Sequence, residues 1–355
     1  MKFIYTLIAC TATLGSLPAL QPCNNWSFSS DSLFWRVCED GLAYGTISDI
    51  TATSTEDPTG VEIQSRVKNI HPKWDMGYRF TLAYNLPCDC WGVALTWTHF
   101  NTHTRTHTEP RGQIVPGATE DSVFTPAWGF AGYNTGSVTT IRDVEAHWKI
   151  SLDTVDIELG RIFCMSDCVT LRPHIGVRAA WINQSFKINT FGTDPNIGVD
   201  FSLQNQHLKS DFTGAGLRGG LDSQWELGCG LSLYGKAAAA VLYGKFDVDS
   251  EDSYRIGASG DAPLRDLEQK DEFCACCAVT DLALGLSWIN CFCDNTIAWT
   301  TSIGWEHHLF FKQNRFEDFQ TLQVENPPLT EDKNPQRQRG CVSFSGLILS
   351  STIDF

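Results

Sequence analysis

Three groups of residues in this 355-residue chain have types and spacings that could do chemistry. The first is His99 followed by Thr102-His103-Thr104-Arg105-Thr106-His107-Thr108. His103 and His107 share a strand face, and imidazoles suit transition metals. The stretch has no carboxylate partner in sequence, so no metal or cofactor is expected. The second group is the cysteines, fourteen in all. Cys88-x-Cys90, Cys291-x-Cys293 and Cys274-x-Cys276-Cys277 do not have the paired C-x-x-C spacing of a structural zinc site. So many thiols instead suit an oxidising compartment. The third group is a set of charges on alternating positions: Arg36, Arg79, Lys149, Arg172, His174, Arg178, Arg218 and Lys236. Glu158, Glu226, Asp281 and Glu306 accompany them, with Asp75, Glu145, Asp156 and Asp222 as further acidic companions. Ser, His and Asp are scattered without a nucleophile motif such as G-x-S-x-G, so no catalytic residues and no enzymatic activity are expected.

What the charges do depends on the elements that carry them. Helical periodicity is hard to find beyond the N-terminus, whereas period-two alternation recurs. From Trp74 to Leu86, the residues Met76, Tyr78, Phe80, Leu82, Tyr84 and Leu86 point one way. Asp75, Gly77, Arg79, Thr81, Ala83 and Asn85 point the other. Trp91, Val93, Leu95 and Trp97 repeat the pattern after the turn Pro87-Cys88-Asp89-Cys90, which makes a hairpin. A third apolar row runs through Val144, Ala146, Trp148, Ile150 and Leu152, then changes phase to Val155, Ile157 and Leu159. That change predicts a bulge near Asp153. A fourth row, from Val169 through Ile175 to Trp181, opposes Arg172, His174 and Arg178, with Pro173 as an irregularity. Further strands are expected over 33–37, 215–227, 231–243, 279–288, 297–307 and 342–355.

About ten strands (8–12) of roughly 9–12 residues match the length of a tilted membrane-crossing strand. Short connections near 87–90, 164–168, 228–230 and 291–295 alternate with long polar ones near 45–73, 101–141, 192–210, 248–272 and 312–340. The expected fold is therefore all-β: a transmembrane antiparallel up-and-down barrel with short periplasmic turns and long extracellular loops. A soluble sandwich or barrel would alternate too. The polar face here carries Arg and Glu among Gly, Thr and Ser, unlike a soluble core. Trp74, Tyr84, Trp91, Trp97, Trp181, Trp225, Tyr243, Trp288 and Trp305 also sit near strand ends, as interfacial girdles do.

Residues 1–20 have the layout of a cleaved secretory signal: Lys2, an apolar run from Phe3 to Leu20, and a small residue, Ala19, at the cleavage site. Residues 21–355 then form a single barrel. Cleavage near Ala19 removes Cys10 and leaves thirteen cysteines, an odd number. The formal net charge of −15 would repel phosphates, which sets nucleic acid aside as a partner.

A charge on a lipid-facing position would cost about 2–4 kcal/mol for Arg or Lys at mid-depth. The charged set is therefore expected to face inward. There it either lines an aqueous path and sets its ion preference or pairs across strands and plugs a narrow lumen. Cys23, Cys88, Cys90, Cys164, Cys168, Cys229, Cys291 and Cys293 cluster on the expected periplasmic rim. They are candidates for disulfides within the chain or to neighbouring envelope proteins.

The chain ends Leu347-Ile348-Leu349-Ser350-Ser351-Thr352-Ile353-Asp354-Phe355, with Leu347, Leu349, Ile353 and Phe355 on one face. A last strand closing on Phe355 resembles the signal by which the barrel-assembly machinery inserts such proteins into the outer membrane of Gram-negative-type bacteria. The stretches 148–161 (Trp148-Lys149-Ile150-Ser151-Leu152-Asp153 through Gly160-Arg161) and 171–184 (Leu171-Arg172-Pro173-His174 through Asn183-Gln184) are similar to the Legionella-type pore-forming outer-membrane proteins. That family includes major-outer-membrane-like proteins of chlamydia-related bacteria. The resemblance implies a porin-like barrel, in some members built into a cysteine-cross-linked envelope. The expected function is passive diffusion of small hydrophilic solutes or ions. The alternative is a structural or adhesive envelope protein with a closed barrel and intermolecular disulfides. Outer-membrane lipid is the expected surround in either case.

Overall fold

The computed structural model describes residues 25–52, 61–86, 90–109, 120–128, 140–194, 199–254, 265–292, 297–318 and 340–355, together with the pairs 322–323, 330–331 and 336–337. The expected signal segment, Cys23, Cys88 and Cys293 lie outside these residues.

Alternation of side chains produces strands here, and the ladder closes on itself. Ten long strands form one antiparallel barrel: β1 (Trp26–Glu39), β4 (Trp74–Asn85), β5 (Trp91–Thr108), β7 (Thr140–Arg161), β9 (Val169–Asp194), β10 (Val199–Gly228), β11 (Leu231–Tyr254), β12 (Arg265–Phe292), β13 (Ile297–Asn314) and β18 (Gly340–Asp354). Each pairs with its neighbour in sequence, and β1 pairs with β18 to close the circle, Ser27 opposite Asp354. The terminal Phe355 completes that seam by exchanging backbone hydrogen bonds with Trp26 at 2.9 and 3.1 Å. A closed ladder leaves no strand edge for the hydrocarbon region to desolvate.

Shorter strands decorate the barrel. β2 (Ala43–Ala52), β3 (Val61–Asn69) and β6 (Glu120–Pro126) make a separate three-stranded sheet, and β8 (Phe163–Ser166) folds onto β9 at a short turn. The two-residue strands β14 (Glu317–Asp318), β15 (Leu322–Gln323), β16 (Thr330–Glu331) and β17 (Gln336–Arg337) pair as β14–β17 and β15–β16. The β10–β11 turn holds Gly228, Cys229 and Gly230 at φ of 101°, 53° and 76°. That left-handed run favours glycine, and Cys229 occupies its middle. Pro173 sits between the last β7–β9 pair, Gly160 with His174, and the first β8–β9 pair, Phe163 with Leu171. Toward β7 and β8 it occupies an interruption in the ladder, where a missing N–H is tolerated, while on its other side it stands opposite Leu221 of β10.

The strands are much longer than expected, with 22 residues in β7, 26 in β9, 30 in β10 and 28 in β12. Much of the sequence at 101–108, 192–210 and 248–272 that reads as loop continues the ladder. The reason is an inversion of the two faces part-way up the barrel. Toward the short turns the outer face is apolar: Met76 (61% exposed), Leu284 (57%) and Trp305 (50%) project outward, with Phe80, Leu95, Ile157, Val177 and Leu282. Aromatics border this belt, with Trp91, Trp225, Trp288 and Trp299 at one margin and Trp74, Trp97, Trp181 and Tyr243 at the other. Such a surface suits hydrocarbon flanked by two interfaces.

Toward the long loops the order reverses. Asn101, His103, Arg105, Lys149 and Lys187 face out, while Trp148, Phe186, Phe212, Phe246, Phe310 and Phe344 are wholly buried inside. The barrel thus continues beyond the membrane as a soluble-type barrel with its own packed core.

This inversion corrects two sequence expectations. The row Val144, Ala146, Trp148, Ile150 and Leu152 is buried inside. No bulge occurs near Asp153: β5–β7 pairing runs without a shift from Trp91–Arg161 to Thr108–Val144, and the β7–β9 shift lies at Ile141/Asp143. The apolar residues change parity because the apolar environment changes sides; the backbone keeps its phase.

Candidate functional site

The inward positions at membrane level enclose a chamber of about 280 Å³. Five Arg or Lys (Arg79, Arg172, Arg178, Arg218, Lys236) face six Asp or Glu (Asp31, Asp156, Glu158, Asp222, Asp281, Glu306) across it, along with His174 and His308. The wall is therefore close to charge balance. Hydroxyl side chains (Ser29, Thr81, Thr96, Ser302, Ser350 and Thr352) line it as well. Lys236 is exposed although it lines the chamber, so the cavity is in contact with water.

Ion pairs tie strands that are not neighbours. The Arg178 guanidinium on β9 forks onto Asp156 of β7, donating from Nε at 2.6 Å and Nη2 at 2.8 Å, and its Nη2 lies 3.0 Å from Asp281 of β12. Two strands, β10 and β11, separate β9 from β12 in the sheet, so this contact crosses the lumen. Arg79 of β4 donates to both Glu306 oxygens on β13, at 3.0 and 3.2 Å, across β1 and β18. Trp35 donates its indole N–H to Glu306 at 3.0 Å. Arg218 bridges Glu158 and Asp281. His308 donates Nδ1–H to Asp281 at 2.8 Å.

A second group closes the lower wall. Arg172 donates to Asp222 at 2.9 Å, while His174 lies 3.4 Å from Glu158 and 3.7 Å from Asp222. A Cβ on Gly220 would come within 2.6 Å of His174 Nε2, so glycine there leaves room for the imidazole. Charge-assisted, partly bidentate bonds of this kind offset much of the cost of taking ions out of water.

Directly above the chamber the interior turns apolar. Asp281 gives way to Val279 and Cys277 on β12, Asp156 to Leu152 and Ile150 on β7, and Arg178 to Ala180 and Ile182 on β9. Trp35, Phe100 and Phe344 interlock there, with ring centroids 5.3–5.9 Å apart, and Phe310 joins them through Phe344. Side chains at zero to two per cent exposure form a dry lid over the charged level.

Of the twelve charged residues expected to line the lumen, nine do so: Arg79, Arg172, His174, Arg178, Arg218, Lys236, Glu158, Asp281 and Glu306. Glu226 shares their face but is exposed, outside the chamber wall. Arg36 and Lys149 are on the outer face, a correction that follows from the inversion. Their apolar neighbours Trp35, Val37, Trp148 and Ile150 fill the lid and so rotate the charges outward. Arg36 donates to the Pro72 carbonyl at 3.1 Å. Glu145 lies on the outer face too. Asp31 and His308 were missed by sequence reasoning. His308 shares parity with Glu306 and could have been found by extending the β13 strand one residue further.

The His-Thr segment lies on strand β5, and His107 Nε2 does have a carboxylate partner, Asp143 of β7, at 2.6 Å. No cluster of three or more metal-binding side chains occurs among the described residues. Cys90, Cys164, Cys168 and Cys229 are exposed at or beside short turns, and Cys291 is half-buried. All five are free thiols in the structure, as are Cys38, Cys274, Cys276, Cys277 and Cys341.

A family model described as the Legionella pneumophila major outer membrane protein precursor matches residues 20–354. No curated protein sequence matches the chain. Among solved structures, the Escherichia coli outer membrane protease OmpT aligns over 94% of this chain and 97% of its own, at 9% identity and a TM-score of 0.39. A Pseudomonas aeruginosa FadL homologue aligns over 94% and 90%, at 9% identity and TM-score 0.29. The CymD monoaromatic hydrocarbon channel aligns over 95% and 91%, at 10% identity and TM-score 0.29.

Proposed function

This outer-membrane chain belongs to the family of the Legionella pneumophila major outer membrane protein precursor, and we propose that it acts as a narrow, gated diffusion channel for small hydrophilic solutes or ions. The observation that carries this reading is the contrast between two levels of one lumen. Directly above the chamber the interior is filled mainly by apolar side chains at almost no exposure, so at that level the barrel is plugged without charges; Arg315 and Asp252 are buried elsewhere in the upper barrel. At membrane level it keeps thirteen charged or titratable groups around a wetted chamber. An ion network is weak evidence for stability, because apolar replacements often serve as well. Charges kept there support an aqueous role instead. The lid must part for passage, and the near balance of acids and bases predicts weak ion selectivity.

The apolar lid is also what favours the second reading, a closed barrel that anchors its loops in the envelope. Conductance of the refolded full chain in a planar bilayer separates the two. Stable, small channel steps are expected, with reversal potentials shifting toward anions in Asp281→Asn/Glu306→Gln. A silent bilayer over the full voltage range, with correctly folded protein, assigns the anchor role.

A further inference from the structure

The charge of the upper outer face is unevenly distributed. On β5, β7 and β9 it carries a lattice of cations in register: Arg105 opposite His147 opposite Lys187, and two residues below, His103 opposite Lys149 opposite Ser185. The rows lie about 10 Å wide across three strands. Arg105, His103, Lys149 and Lys187 are exposed. None of the three Arg and Lys side chains has a carboxylate within ion-pair distance among the described residues.

On the neighbouring strands β10, β11 and β12 the lysines of this face are neutralised. Lys245 is paired with Asp247 at 2.6 Å and Glu272 at 3.0 Å, Lys270 with Glu268 at 2.5 Å, and Lys209 with Glu251 at 3.2 Å. Carboxylates also bound the lattice: Asp143 above holds His107, Asp153 below holds His99, and Asp211 lies to one side. Glu145 stands beside it on the same face as His147. The mutual proximity of the bases is felt by His147, whose imidazole is held below its ordinary value by burial first, then by Arg105, His103, Lys187 and Lys149. An unneutralised cation lattice is unusual in a chain of net charge −15.

Its height is equally specific. On β9, Trp181 of the upper aromatic margin precedes Ser185 and Lys187 by four and six residues. At about 3.3 Å per residue and a tilt near 40°, the lattice stands roughly 10–15 Å above that margin. This is the headgroup zone of the membrane leaflet facing the long loops.

We propose that Arg105, His103, His147, Lys149 and Lys187 form a binding site for the phosphate groups of the glycolipid of the outer leaflet. The lattice supplies several donors on a rigid sheet, and the aromatic margin beneath receives the acyl chains. The site works whether the barrel conducts or not.

The test uses the full chain refolded in dodecyl maltoside and bisphosphorylated lipid A, with bound lipid counted by native mass spectrometry. Wild-type protein is expected to retain lipid A. Arg105→Gln/Lys149→Gln/Lys187→Gln is expected to lose about 100-fold in apparent affinity, since each near-surface cation is worth roughly a fivefold factor. The control Lys245→Gln/Lys270→Gln, altering paired lysines, is expected to bind as wild type. Heat-dependent electrophoretic mobility verifies folding of each variant. Should a variant misfold, wild-type protein compared on bisphosphorylated and dephosphorylated lipid A decides: a loss with the latter supports the site. Equal retention of both lipids overturns it, as does equal binding by wild type and triple variant, or an equal loss in the control.

Discussion

Arg178→Met isolates the energetic logic of the charged chamber. Methionine keeps much of the arginine's volume while deleting the guanidinium that joins β7, β9 and β12. Breaking one side of a buried ion pair costs about 3–5 kcal/mol, mostly because the abandoned partner is left charged and dry. Two carboxylates are affected, but unequally. Asp281 retains Arg218 at 3.3 Å and His308 at 2.8 Å. Asp156, 4% exposed, retains among the described residues only the cation Arg218, its Nε at 4.0 Å. The cost therefore falls chiefly on Asp156, and a loss of about 3 kcal/mol is expected. Neutralising the orphan in Arg178→Met/Asp156→Asn should recover at least about half of it, because replacing both partners of a pair is far milder than removing one. Urea unfolding in lipid vesicles, followed by tryptophan fluorescence and by the mobility shift on heating, measures both variants. A loss below about 1 kcal/mol for the single variant, or no recovery in the double, refutes the reasoning. Removing a side chain that crosses the lumen should also raise any single-channel conductance.

Four further outcomes can be measured. Trp148→Ala, in the lid, should destabilise by about 3–5 kcal/mol, whereas Lys149→Leu, its outward neighbour, should stay within about 0.5 kcal/mol; the same unfolding assay ranks them, and the reverse order would contradict the inverted faces. His147 is held below its ordinary value by burial and then by Arg105, so its protonation opposes the folded state: this contribution is present above pH 6.5 and lost as pH falls through and below that value. Histidine-selective NMR should find its titration displaced to lower pH, and Arg105→Gln should move it back up; a titration unchanged by Arg105→Gln would remove that cause. Maleimide should modify Cys90, Cys164, Cys168 and Cys229 in the folded protein but spare Cys277, which is 1% exposed. If these rim thiols join neighbours in the envelope, cross-linked bands that collapse on reduction should appear in alkylated envelope material; monomer bands alone would leave the rim unlinked.

Much of this protein can be read directly from its residues. Met76 to Leu86 and Trp91 to Trp97 alternate so strictly that hairpin, outer face and membrane follow from period two alone. Arg79, Arg172, Arg178 and Arg218 must face inward wherever their alternate neighbours meet hydrocarbon. The end of the closing strand is equally legible, because Leu347, Leu349, Ile353 and Phe355 lie within the belt, whereas Val342 and Phe344 higher on the same strand turn inward.

What sequence could not supply is the side on which apolar residues are sheltered. Period two states that Trp148, Ile150 and Leu152 share a face, and that Lys149 shares the other. It does not state which face is dry. Within the membrane the dry side is outside; above it, the dry side is the packed interior, and only the assembled barrel sets the height at which one becomes the other. The pairing of Arg79 with Glu306, 227 positions away, and of Arg178 with Asp281, 103 away, likewise arises from closure of the circle. Local pattern fixes each strand's two faces; the closed ladder decides what each face meets.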